Sequence, residues 1–269
     1  LTIKLIPKTL SGSIDAASGG TVDLSNGTSI NLPQNGIMVK GTGAAYTGSV
    51  KVYASYIDPT SSDFANRVPG SMMGKDSSKM FVLQSTGMIA VDLESPSGQS
   101  LQLASGKTPA IKMPIPASLT GKAPATIDTW SLNDQGVWVK EGTATRNGDH
   151  YDMVVTHFSF WNCDVGLPLV QLSGKVYIGD LEHPLVGAQV QLTTTATNWP
   201  SFATTDANGC FSGGVIKDAE MVLTIQSFDQ CGTQILYTQT IGPFSSNTML
   251  QPIILSSSAF EFTTISGTL

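Results

Sequence analysis

"YDMVVTHFSFWNCD", residues 151–164, decides how the chain is read. Tyr151, Met153, Val155, His157, Ser159 and Trp161 alternate with Asp152, Val154, Thr156, Phe158 and Phe160. Strand side chains point to opposite faces with a period of two, so the run predicts one strand with Phe158 and Phe160 packed on one face. The same letters place an imidazole two residues before a hydroxyl, which suits backbone self-cleavage. In that chemistry Ser159 Oγ attacks the Phe158 carbonyl, His157 takes the hydroxyl proton, and water hydrolyses the ester. In a regular strand, positions i and i+2 lie about 6.6–7 Å apart, too far for a direct hydrogen bond. Cleavage therefore requires a bulge or strained bend at Phe158–Ser159. No Gly or Pro lies between 149 and 165 to supply one. The packed strand is the stronger reading, with Asn162-Cys163-Asp164 leaving a first domain.

The same alternation extends outward. In "SVKVYASYI" (49–57) Val50, Val52, Ala54 and Tyr56 share a face. In "AQVQLTT" (188–194) Ala188, Val190 and Leu192 oppose Gln189, Gln191 and Thr193. In "MVLTIQS" (221–227) Met221, Leu223 and Ile225 align. Turn signals separate such runs: Asn26-Gly27, Asn35-Gly36, Ser97-Gly98, Asn147-Gly148 and Asn208-Gly209. Only "PTSSDFANRV" (59–68) suggests a helical turn, capped by Thr60 or Ser61 and stopped by Pro69. Trp130 and Trp138 flank the turn Asn133–Gly136 and are expected to cover one end of a core. Pro114 and Pro116 suit an edge strand or a crossing linker. The fold class is all-β, with two β-sandwich domains.

Bulk properties narrow the function. The chain has 269 residues, of which 13% are charged, and its formal net charge is −6. Nucleic acid and anionic membranes select clustered basic residues, and no Lys or Arg run occurs. No apolar run approaches the roughly 18 residues of a membrane-spanning helix. The chain begins at Leu1, so a removed leader or anchor is expected before it, on an extracellular, cell-surface or periplasmic protein. No cofactor is implied. The three histidines, His150, His157 and His183, are scattered, and no C-x-x-C occurs. The cysteines are Cys163, Cys210 and Cys231. Sequence does not fix connectivity, but the spacing suits a Cys210–Cys231 bridge with Cys163 buried and free.

A junction is expected near 164–171, where Gly166 and Pro168 follow one dense strand and precede another. The proposed divisions are 1–165, 166–257 and a tail, 258–269. "LSGSI" (10–14), "LSGKV" (172–176) and "ISGTL" (265–269) share a short pattern, so the tail is read as the start of a further repeat in a longer modular protein. Residues 172–225 resemble the carboxypeptidase-regulatory-like domain. "LSGKVYIGDLEHPLVGAQVQL", "ATTDANGCF" and "AEMVLTI" carry the likeness. It implies a non-catalytic seven-stranded sandwich of the transthyretin type, common in bacterial surface proteins of the Bacteroidetes kind. "GGVIKDAEM" departs from that pattern at the sheet edge. Residues 18–164 are similar, more loosely, to the extracellular region of cartilage intermediate layer protein and its bacterial relatives. "YTGSVKVYASYIDPT", "APATIDTWSLNDQGVWVKEGTA" and "HFSFWNCD" carry that likeness.

Other candidates have plainer readings. "DLSNGT" and "TDANGC" look like calcium loops but lack the later carboxylates, so Asx-turns explain them. Asp92 and Glu94 share a strand face and read as a solvated hairpin. Met72, Met73, Met80 and Met88 read as loop and core filling. Trp199, before Pro200 and near Phe202, is a candidate for stacking on a sugar or anchoring a partner. Folding over a sandwich end is its plainer role. Three functions follow in order: a structural, adhesion or binding module; a carbohydrate-binding module using Trp199; and a domain that cuts itself between Phe158 and Ser159 through His157 and Ser159. The partner class is a protein or glycan at the cell surface.

Overall fold

The computed structural model describes residues 5–194, 200–229 and 232–259. Its elements are overwhelmingly strands, and the chain is an all-β protein. The first thirteen are β1 (Leu10–Asp15), β2 (Gly20–Asp23), β3 (Ser29–Leu32), β4 (Ile37–Val39), β5 (Ser49–Ile57), β6 (Met73–Lys75), β7 (Met80–Glu94), β8 (Ser100–Leu103), β9 (Ala110–Pro114), β10 (Thr126–Leu132), β11 (Trp138–Asn147), β12 (His150–Val154) and β13 (Phe160–Ile178). Then come β14 (Gln189–Thr193), β15 (Ser201–Thr204), β16 (Cys210–Ile216), β17 (Met221–Asp229), β18 (Gly232–Ile241), β19 (Thr248–Met249) and β20 (Ile253–Leu255). One short helix, α1 (Phe64–Arg67), stands where a helical turn was expected. It begins after Asp63 rather than at Thr60 or Ser61, because Ser61 Oγ is spent on the Asp63 carboxylate.

The chain divides into two compact units, Leu1–Gly166 and Leu167–Leu269. The division falls inside β13, a strand of 19 residues. It lies within the expected junction, 164–171, but no break between two strands marks it, because β13 runs on through Gly166 and Pro168. Asn162, Cys163 and Asp164 are fully buried strand residues. Pro168 needs no amide partner, and its carbonyl accepts Lys217 N at 2.8 Å.

In unit 1 the strand order runs β1-β5-β7-β13-β10-β11-β12-β9-β3-β2. β4 pairs with β8, which pairs with the end of β7. Residues from opposite ends of that order meet in one core: Val50 and Val52 of β5 with Ile111 and Met113 of β9. Val50, Val52 and Ala54 of β5 are buried as the alternation predicts, whereas Tyr56 is half-buried and Ile57 is fully buried. Pro114 closes β9, which is paired by both β12 and β3. It is therefore not on an edge strand; as the terminal residue it needs no ladder donor. A smaller core gathers Trp130, Trp138, Ile57, Leu83 and Met88, so the two indoles share one cluster.

Unit 2 has a four-stranded antiparallel sheet, β15-β14-β17-β18. Facing its core, β16 pairs antiparallel with β13, and β19 and β20 pair parallel with it. Val190, Leu223 and Ile225 of the sheet meet Leu172, Val176 and Phe211 in one cluster. "TTDANGCF" forms the expected turn: Asp206 Oδ1 accepts from Asn208 N and Cys210 N, both at 2.8 Å. Those bonds hold the Asp206 carboxyl below its usual range. Gly209 sits there at φ +70, and its carbonyl accepts from Val176 N at 2.9 Å. A β-carbon would be strained in φ and would collide with backbone. Gly209→Ala is expected to destabilise unit 2 by about 1–3 kcal/mol, read as earlier loss of amide protection in β14 and β17 than in β5 and β7.

Candidate functional site

The predicted strand through His157 is broken. β12 ends at Val154 and β13 begins at Phe160, leaving 155–159 as a bend. The period-two pattern fails across it: Val155, Phe158 and Trp161 are all buried, although alternation puts Phe158 on the opposite face from the other two. The backbone turns because a side chain from far away binds it. Gln102 of β8 accepts from Phe158 N through Oε1 at 2.8 Å and donates to Phe158 O through Nε2 at 3.0 Å. A carboxamide carries one acceptor and two donors, so it can occupy both backbone groups that a ladder would have used. Trp161 fixes the other side, its Nε1 donating to His157 O at 2.9 Å with the two rings 5.1 Å apart.

The bend meets one condition for self-cleavage and fails the others. The Phe158 carbonyl has a polarising donor in Gln102, which sequence reading did not identify. Ser159 Oγ, however, donates downstream to Phe160 O at 3.2 Å. His157 Nε2 meets Glu141 Oε1 at 3.1 Å. The structure does not bring His157 to Ser159. Glu141, on β11, is the hub: it accepts from Ser131 Oγ, from Thr156 Oγ1 at 3.3 Å and from His157. Partial burial pushes its carboxyl up, but the bonds from Ser131 and His157 outweigh this and hold it below the usual range. His157 is thus engaged by Glu141 and Ser159 by Phe160 O, whereas an activated serine needs the histidine in direct contact. The other face of Ser159 borders a shallow groove of about 160 Å³ with Lys8, Tyr53 and Asp92.

Gln102→Ala removes both partners of the Phe158 peptide. A buried unpaired N–H and C=O each cost about 1–3 kcal/mol, so a loss of about 2–4 kcal/mol is expected by urea unfolding followed through tryptophan fluorescence.

The remaining candidates lie apart from the bend. Trp199 lies outside the described residues. Its neighbour Phe202 is 57% exposed on β15. Phe202 and Met249 border an open groove of about 460 Å³ in unit 2, with Lys175, Thr204, Asp206 and Ser212 among its polar lining. Cys163 is buried and free, against Met153 Sδ at 3.7 Å. Cys210 is also a free thiol, so the expected bridge is not formed at that end; the Asx-turn directs its Sγ to Asn208 O at 3.8 Å. Cys231 lies outside the described residues. Among the described residues, no group of three or more His, Cys, Asp or Glu is placed to hold a metal ion, and no helix is long and apolar enough to cross a membrane.

No family model matches the chain, and no curated protein matches it. Solved structures give distant likenesses. A 9R-lipoxygenase from Cyanothece PCC8801 is 17% identical with a TM-score of 0.24, over 32% of this chain and 16% of that one. The Bacillus anthracis TIE protein is 10% identical with a TM-score of 0.23, over 76% and 40%. A non-hemolytic pneumolysin from Streptococcus pneumoniae strain ST306 is 7% identical with a TM-score of 0.20, over 84% and 47%. The chain thus spans less than half the length of each of these proteins.

Proposed function

We propose that this chain is a non-enzymatic structural, adhesion or binding module of a secreted or cell-surface bacterial protein. The observation that carries this reading is how the reactive-looking groups are used. Gln102 holds the Phe158 backbone, Glu141 braces His157, Ser131 and Thr156, and Ser159 bonds to Phe160 O. These bonds tie the groups to one another and to the backbone of the bend, which supports a structural role for them. The resemblance of residues 172–225 to a non-catalytic sandwich points the same way. Purified protein is expected to run as one band near 28.2 kDa on denaturing electrophoresis after days at neutral pH. Two fragments that disappear in Ser159→Ala would replace this reading with self-processing.

A second reading, carbohydrate binding, is favoured by the unit 2 groove. An exposed ring beside hydroxyl, ammonium and carboxylate groups suits the apolar face and polar rim of a sugar. Titration against a panel of soluble glycans tests it, with Phe202→Ala and Trp199→Ala as paired controls. Binding that survives both substitutions, or no binding at all, removes the sugar reading and leaves the structural one.

A further inference from the structure

The sheet of unit 2 ends in an open edge. β18 lies last in the four-stranded order, and among the described residues it pairs with β17 alone. At the other end β15 is 4 residues long, whereas β18 has 10, with no charge and no proline. Natural edge strands are kept short, charged or interrupted by proline, because their unpaired N–H and C=O groups accept a further strand. The sequence of β18 is also symmetric. Residues 233–240 read Thr-Gln-Ile-Leu-Tyr-Thr-Gln-Thr. Outward from the centre, Leu236 matches Tyr237, Ile235 matches Thr238, Gln234 matches Gln239 and Thr233 matches Thr240. The backbone extends this symmetry to the two faces of the sheet. Tyr237 pairs with Ile225 and Ile235 with Gln226, so Leu236 is the extra residue of a bulge. Leu236 and Tyr237 both pack on the core. From there alternation runs the same way in each direction: Ile235 and Thr238 on the outer face, Gln234 and Gln239 on the core side, Thr233 and Thr240 outside again. Ile235 is 65% exposed, and both glutamines and all three threonines are exposed as well.

We propose that β18 is a dimerisation edge, pairing antiparallel with β18 of a second copy of this chain. A twofold axis perpendicular to the sheet keeps each face on its own side, so residues opposite one another must face the same way. In a regular strand, a centre between two successive residues breaks that rule. The bulge satisfies it here: Leu236 lies opposite Tyr237 of the partner subunit on the core side, and Ile235 lies opposite Thr238 of the partner subunit on the outer face. Farther out, threonine meets threonine and glutamine meets glutamine, pairs that hydrogen-bond across strands. Charge selects the occupant. The chain carries a net −6, so copies that meet through charged surface repel, whereas this strip carries no charge to oppose its own kind. A sequence that matches its own reverse fits a second copy better than an unrelated strand. Pairing uses up both open edges, so assembly closes at two copies.

Sedimentation velocity over a concentration series of the full chain tests it. A species of twice 28.2 kDa is expected to grow in as concentration rises. A chain that stays at 28.2 kDa up to its solubility limit overturns the proposal, and so does one that grows past the dimer without end. Ile235→Lys and Thr238→Lys each put an ammonium group at an exposed position of the edge, where the urea midpoint should not move. Each should weaken the dimer about tenfold or more, and an unchanged dissociation constant overturns the proposal. Thr193→Lys places the same charge on the outer face of β14, away from the edge, and should leave the dimer intact. Equal weakening there would put the contact on the sheet face and overturn the edge. The register is tested separately. Ile235→Lys combined with Thr238→Glu in one chain sets opposite charges across the twofold axis and should restore the dimer, whereas Ile235→Lys combined with Thr238→Lys should not. The same outcome from both combinations overturns the register.

Discussion

Trp130→Ala is expected to lower the stability of unit 1 by about 3–5 kcal/mol, the range for deleting a large buried aromatic. Trp130 is fully buried and donates to Asp164 O. Its ring packs edge-on to Phe81 with centroids 5.6 Å apart. Two glycines make room for the indole. A β-carbon on Gly74 would lie 2.8 Å from the ring, and one on Gly166 would lie 3.0 Å from it. That close fit gives a sharper test than the single substitution. Gly74→Ala alone overpacks the site and should cost about 1–3 kcal/mol. In the Trp130→Ala background the same methyl meets only Leu83 Cδ2, at 2.8 Å, which can move into the space the ring has left, so it should cost less than in the wild type. A double-mutant cycle by urea unfolding reads the difference, and strict additivity would show that the indole and Gly74 are not coupled as described.

The second large effect is a dependence on pH. Burial raises the Asp164 carboxyl well above the range it has in the unfolded chain. The folded state therefore holds a proton that the unfolded state releases above about pH 4. The contribution is fully present below that pH and is lost as pH rises toward the folded value. Stability should fall by about 1.4 kcal/mol per pH unit across that window. Asp76, Asp149, Asp180 and Asp206 are displaced in the opposite direction by hydrogen bonds, and their contribution disappears only in acid. A fall in stability as pH rises above the ordinary carboxylate range thus belongs to Asp164 rather than to these groups. Urea unfolding at pH 5, 6, 7 and 8 measures it, with Asp164→Asn expected to flatten the profile. A wild-type profile that rises over this range would mean that the carboxyl is ionised in the folded protein.

The strands were legible because period-two alternation is local and both units bury one face of most strands. The Asn208-Gly209 turn was legible for the same reason: its side chain–backbone bonds lie within four residues. The breaks were not legible. Val155, Phe158 and Trp161 keep burying apolar surface through the bend, so hydrophobicity carries no mark of it, while its cause sits on β8. Gly166 and Pro168 looked like punctuation, yet β13 runs through them. Gly166 packs against Trp130 and Phe81, and Pro168 supplies only an acceptor. The polar cluster of Ser85, Asn162 and Asp164 was invisible for a further reason. Ser85 and Asn162 are ordinary polar residues in sequence, and only the pairing of two strands 77 positions apart makes them neighbours.

The clasp of Gln102 on Phe158 also sets an order of events in time. Its partners are 56 residues apart in the chain. At ribosomal rates Gln102 emerges roughly 3 to 11 s before the peptide it holds. During that interval its carboxamide has only water to bind, and the turn into β13 has no reason to persist. The last strand of the first unit is therefore also the piece that lets the earlier ones close, and a nascent chain stalled before Phe158 should remain open to protease along β7 and β8.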